Sequence, residues 1–198
     1  EEEYETGPDG VRRVVLVTDG SGYHPTDARL RRCGHSVHHA PEHPRNYQGA
    51  LKGPVQCVPR AELRAVLRVA RTENRPCVIL CDCDFVVEGV QAMLCGIPTE
   101  HLDHQDLWEQ LSSALQERQQ DSLQIRKIPA HTTVEEIGVS ISERDRRMND
   151  EADRLAKKGA WGEHKVPAQL VTRARERKVH TLLVQAMVVS IWSARLPL

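Results

Sequence analysis

No apolar run in this chain is long enough to cross a bilayer comfortably. The longest, Thr181 to Ala194, falls short of the roughly 20 residues that a spanning helix needs. No signal peptide is expected either, because Glu1-Glu2-Glu3 stands where such a leader carries positive charge. Paired cysteine spacing is also missing. The six cysteines fall at 33, 57, 77, 81, 83 and 95, and Cys77 and Cys81 sit inside an apolar run where a reduced thiol acts as a small hydrophobe. A disulfide scaffold is therefore excluded. An intracellular protein, nuclear or cytoplasmic and without membrane contact, is expected.

Excess positive charge is absent as well. The formal net charge is -1, so any binding of nucleic acid must rest on local basic patches and metal ions rather than on a global field. The charge is unevenly spread. Residues 1–10 carry five acids and no base, 161–198 carry six bases and two acids, and 11–160 balance 21 against 21. Neither a Gly-rich phosphate loop nor an activated Ser or Cys nucleophile is present, and no internal repeat is visible.

What is present suits one soluble domain of ordinary size with a tail, given 198 residues, 39% hydrophobic and 28% charged. Residues 1–11 read as an acidic leader or linker, 12–160 as the domain and 161–198 as a helical extension. Val14 to Thr18 is a continuous apolar run ending at Asp19-Gly20, hence a buried strand entering a turn. Arg31–His39 and Tyr47–Val55 are weaker strand candidates. Pro59 opens a helix with Leu63, Val66, Leu67 and Ala70 at i, i+3, i+4 and i+7. Cys77–Cys81 is a second buried strand, ending at Asp82. Phe85–Leu94 and a segment with Leu107, Trp108, Leu111 and Leu115 read as helices, Leu123–Pro129 as a strand. A last helix of the domain spans about Glu143–Lys158, with Gly159 as its stop. The order is β-β-β-α-β-α-α-β-α, an α/β arrangement. Residues 167–195 form an extra helix.

Two buried strands thus end on aspartates. If they are parallel neighbours, Asp19 and Asp82 emerge at one carboxyl edge, where open α/β sheets bind ligands. Glu62 lies in the first turn of its helix, and Asp153 follows Asn149 by four residues on one flank of the last helix. Four converging carboxylates repel one another unless cations lie between them, and hard oxygen ligands select Mg²⁺ or Mn²⁺. Two such ions, about 4 Å apart, can activate water and stabilise the leaving oxygen of a phosphodiester.

A lone Asp at a strand end is ordinarily a turn residue; the flanking residues change that reading. They are Thr18-Asp19-Gly20-Ser21, Arg60-Ala61-Glu62-Leu63, Ile79-Leu80-Cys81-Asp82, Asp106-Leu107-Trp108, His131 and Asn149-Asp150-Glu151-Ala152-Asp153-Arg154-Leu155-Ala156. Over about residues 12–160 this chain resembles a type 1 ribonuclease H domain, most closely those of retrotransposon polyproteins. The resemblance implies a ribonuclease H-like fold with a five-stranded mixed sheet flanked by helices. It implies endonucleolytic hydrolysis of the RNA strand of RNA–DNA hybrids, leaving a 5′-phosphate and a 3′-hydroxyl. Asp19, Glu62, Asp82 and Asp153 would hold two Mg²⁺ ions, with Mn²⁺ able to substitute. His131 would assist proton transfer or product release. Gly20, Ser21, Arg60 and Asn149 would contact substrate, Trp108 would serve the core, and Asp84 would stay outside the metal site. A reverse transcriptase domain in the same polypeptide is an implied partner.

The pattern departs from the family in places. Gly22-Tyr23-His24-Pro25 replaces the usual Gly-Asn-Pro-Gly, and Cys57-Val58-Pro59 stands where asparagines usually precede Arg-x-Glu. The Lys-rich handle is missing, since Cys95–Gln105 contains no Lys or Arg. A catalytically degenerate module kept for nucleic-acid binding or structure is the alternative. A proofreading exonuclease expects Asp-x-Glu on the first strand, and an integrase places its Glu late; neither pattern is met. Cys33, His35, His38, His39 and His43 offer a zinc reading, but tight Cys-x₂₋₄-Cys spacing is absent.

Overall fold

The computed structural model describes residues 1–24, 26–130, 132–162 and 166–195. Its strands are β1 (Tyr4–Thr6), β2 (Arg12–Tyr23), β3 (Arg32–His38), β4 (Tyr47–Ala50), β5 (Cys77–Cys81) and β6 (Leu123–Lys127). The helices are α1 (Val58–Thr72), α2 (Asp84–Leu94), α3 (Gln105–Gln116), α4 (Glu143–Gly162) and α5 (Ala168–Arg195), with a 3₁₀ turn at Val134–Glu136. One mixed sheet runs β4-β3-β2-β5-β6. The β2–β3 and β3–β4 pairs are antiparallel, and β2–β5 and β5–β6 are parallel.

The sheet is wider than the five strands expected. Residues 4–6, read from sequence as part of an acidic leader, pair antiparallel with Arg12–Val14 of β2. Since β5 takes one edge of β2 and β3 pairs only from Val17 onward, β1 fills the stretch of edge that β3 leaves bare. Ion pairs reinforce it: Glu5 bonds Arg126 at 3.1 Å and also pairs with Arg144.

The central strands carry apolar residues on both faces because helices cover both faces. Val14, Leu16, Cys77 and Ile79 pack with Leu63, Val66, Leu67, Val86, Trp108 and Leu111 of α1, α2 and α3. Val15, Val17, Val78 and Leu80 pack on the other face with Met148 and Ala152 of α4. Trp108 is 1% exposed and donates its indole N–H to the Asp103 carbonyl at 3.0 Å, as suits a core tryptophan. Gly89 lies under that ring, with no room for a Cβ.

Glycine settles how α4 lies. A Cβ on Gly34 would collide with the backbone of Gly159 and Ala160, and one on Gly159 would lie 2.7 Å from the Gly49 carbonyl oxygen. Gly159 therefore does not end the helix; it lets the helix rest on the strands, and α4 continues to Gly162. α5 belongs to a separate unit, Lys165–Leu198, and exposes Leu182, Leu183, Met187, Ile191 and Trp192. No helix among the described residues is long and apolar enough to cross a membrane.

Candidate active site

The parallel register of β2 and β5 pairs Val17 with Leu80. Asp19 and Asp82 each lie two residues beyond that pair, so they leave the sheet side by side on the face that α4 covers. Glu62 comes from α1, on the opposite face. It reaches them because Gly20 of β2 has no side chain. A Cβ there would stand 2.5 Å from the Glu62 nitrogen and 3.0 Å from its Cγ. The first turn of α1 thus sits against bare backbone, with Glu62 beside Asp19.

Three of the four expected acids meet. Asp19, Glu62 and Asp82 present oxygens that all lie within 4.8 Å of one another. Asp19 is 6% and Glu62 3% exposed, and Asp19 Oδ2 is buried with no hydrogen-bond partner. Burial, then the charges of Asp82 and Asp153, push the Asp19 carboxyl up to about 7. Burial, then Asp19 and Asp82, hold the Glu62 carboxyl well above the ordinary range. A hydrogen bond from the Gly20 backbone opposes both shifts and is outweighed. Beneath Glu62, the Cys81 thiol lies 4.0 Å from Oε2.

Asp153 stands at the rim. It is half-buried, and its Oδ2 accepts a 2.5 Å bond from the Lys157 ammonium one turn on along α4. Its field still reaches Asp19 and Glu62, and the Lys157 charge also acts on Asp19. Sequence reading missed Lys157, although its i, i+4 spacing from Asp153 was the available signal. Asp84 points elsewhere: it is exposed and pairs with Lys127 at 2.7 Å, while Lys127 also donates to the Asp82 carbonyl at 2.5 Å.

The other expected residues scatter. Gly20 lies inside the acidic edge, and Ser21 follows it at half exposure. Asn149 is buried on α4 with Oδ1 lacking a partner. Arg60 pairs with Asp106, whose carboxylate accepts two bonds at 2.7 and 2.5 Å. His131 lies outside the described residues.

The donor set consists of oxygens, with the Lys157 ammonium at its rim. A buried, partnerless carboxylate oxygen amid raised carboxyls fits hard divalent ions such as Mg²⁺.

A family model described as RNase H matches residues 11–161. The solved PFV RNase H domain is 20% identical, with a TM-score of 0.56 over 74% of this chain and 93% of that one. A foamy viral protease-reverse transcriptase in complex with RNA/DNA hybrid is 23% identical, TM-score 0.55, over 74% of this chain and 20% of that one. LC9-RNase H1 is 16% identical, TM-score 0.52, over 76% and 72%. These likenesses establish a shared fold. No curated protein matches the chain.

Proposed function

The chain belongs to the RNase H family, and from that premise we propose that its acidic sheet edge hydrolyses the RNA strand of an RNA–DNA hybrid with two Mg²⁺ ions, which Mn²⁺ can replace. The observation that carries this reading is the meeting of Asp19, Glu62 and Asp82 within 4.8 Å, with Asp19 Oδ2 buried and unpartnered. These three would hold the ions, and Asp153 would join them by sharing its carboxylate with Lys157. Bound there, divalent ions supply a nucleophilic water and neutralise charge at the scissile phosphate. The protein's own part is positional. The β2–β5 register and the bare backbone of Gly20 fix the carboxylates in advance, so little reorganisation is needed when substrate arrives. His131 is proposed to aid proton transfer or product release, so His131→Ala should lower kcat on the order of 10²-fold.

Hybrid binding finds support in a cleft of about 510 Å³ between α1, α3 and the β3–β4 edge. Lys52, Arg60, Arg64, Arg68 and Arg71 line it against one acid, Asp106, which supplies the local basic patch that a near-neutral chain needs. Discrimination of RNA from DNA would rest on 2′-hydroxyls and minor-groove shape. The foamy viral likeness supports a hybrid as substrate and a reverse transcriptase domain as partner in a retroelement polyprotein. A second reading, a binding module without catalysis, draws on the Arg60–Asp106 pair, which occupies a residue expected to touch substrate.

Strand choice tests the proposal. A hybrid labelled on each strand in turn should lose only its RNA, leaving 5′-phosphate ends. Cleavage of the DNA strand at the same rate would overturn it, and binding without cleavage would favour the second reading.

A further inference from the structure

Away from the acidic edge lies a second group of metal-ligating side chains. Glu2, before β1, and His39 and His43, after β3, each offer one donor atom, all within 4.8 Å of one another. Glu2 Oε1 stands 3.4 Å from Nε2 of His43 and 3.7 Å from Nδ1 of His39. Such separations are long for hydrogen bonds. They lie close to the edge of a tetrahedron with metal–ligand bonds of roughly 2.0–2.1 Å, an edge of about 3.4 Å. The two imidazoles lie with their centroids 5.0 Å apart and their planes 23° from parallel.

His39 supplies an independent sign. It is 4% exposed, and its Nδ1 is buried without a hydrogen-bond partner, a cost that a ligand at that atom would remove. Glu2 is already oriented, as metal-binding carboxylates are by the groups around them. Arg75 donates to both of its oxygens at 2.8 Å, and the Tyr4 hydroxyl donates at 2.8 Å. Beside the group opens a cleft of about 600 Å³ that reaches Glu2 and His39 and is lined by five glutamates against two arginines. Glu3 and Glu151 pair there with Arg147 and Arg154, and the cleft gives an ion access to the group.

We propose that Glu2, His39 and His43 form a Zn²⁺ site that clips the segment before β1 to the turn after β3. Two imidazoles and one carboxylate suit zinc, whereas Mg²⁺ prefers an all-oxygen shell. Of the zinc ligands open to sequence reading, Cys33, His35 and His38 take no part, and the carboxylate comes from 37 residues before His39. Ligation through Nε2 places the His43 proton on Nδ1, so the exposed 3.2 Å bond from the Arg45 backbone N–H to that atom passes to water. The fourth position is left to water.

Co²⁺, whose visible absorption reports tetrahedral coordination, tests the site without recourse to activity. The 198-residue chain carrying Asp82→Asn, which weakens the acidic edge, should take up one equivalent of Co²⁺ with strong visible bands. Micromolar Zn²⁺ should displace it and raise Tm. His43→Ala in the same background should lose the bands and the Zn²⁺ effect while its metal-free Tm stays the same, and Glu2→Gln, which also loosens the Arg75 pair, should likewise lose the bands. In the otherwise native chain, His43→Ala should leave Mg²⁺-dependent hybrid cleavage unchanged. Equal Co²⁺ uptake with and without His43, or no uptake by the Asp82→Asn chain, would overturn the proposal.

Discussion

Asp19 is where the acidic edge meets the hydrophobic core, and its proton links stability to pH. In the folded protein its carboxyl titrates at about 7 instead of 3.8. A raised carboxyl pKa favours the fold below the unfolded value, and that contribution is lost as pH climbs from about 4 to about 7. At roughly 1.4 kcal/mol per pKa unit, the loss is at most about 4 kcal/mol. Metal-free Asp19→Asn should therefore melt higher than the parent at pH 8 and about level with it at pH 4.5. Millimolar Mg²⁺ should raise the Tm of the parent at pH 8 and not that of Asp19→Asn. Thermal melts at the two pH values decide this, and a parent indifferent to Mg²⁺ and Mn²⁺ would contradict it. Asp82 and Asp84 make the sharper pair. Asp82→Asn should abolish cleavage with the fold intact, whereas Asp84→Asn, which breaks only an exposed pair with Lys127, should keep it. The reverse outcome would shift the register by two residues. The acids themselves were legible because each follows a recognisable local pattern. Lys157 was legible too, at i, i+4 from Asp153, but the occupation of Arg60 by Asp106 was not, since that contact spans 46 residues.

At the scale of elements, glycines at 20, 34 and 159 decide how helices meet the sheet. Gly34→Val should place methyl groups in the backbone of α4 and cost about 1–3 kcal/mol or more. Trp108→Ala should cost roughly 3–5 kcal/mol as a large core truncation. Chemical denaturation measures both, and a loss below about 1 kcal/mol in either would contradict the packing described. Strand and helix order could be read from periodicity, because β2, β5 and α1 carry long, regular apolar patterns. β1 could not: Tyr4–Thr6 is three residues in an acidic stretch, and only the bare edge of β2 makes it a strand. Gly159 misleads for a similar reason. A glycine near a helix end reads as a stop, and only the strand backbone against it shows that it is a contact.

The whole molecule balances its charge while concentrating its bases. Arg64, Arg68 and Arg71 follow Arg60 along one side of α1, a row about 17 Å long at 1.5 Å per residue. If phosphates lie in that cleft, Arg64→Ala and Arg68→Ala together should weaken hybrid binding and reduce its salt dependence, by about one unit of log–log slope per lost contact. Turnover at saturating substrate should change little. An unchanged slope would place the hybrid elsewhere on the surface. The proposed hydrolysis rests on Asp19, Glu62 and Asp82 as the edge that holds its cations. The measurement that reaches it most directly is the rate of RNA-strand cleavage in an RNA–DNA hybrid as Mg²⁺ is titrated, for the parent chain and for Asp82→Asn at matched Tm. The parent rate should rise from zero and saturate with Mg²⁺, while Asp82→Asn stays inactive throughout. A folded parent that binds hybrid but cleaves nothing with either Mg²⁺ or Mn²⁺, or an Asp82→Asn variant as active as the parent, would contradict it.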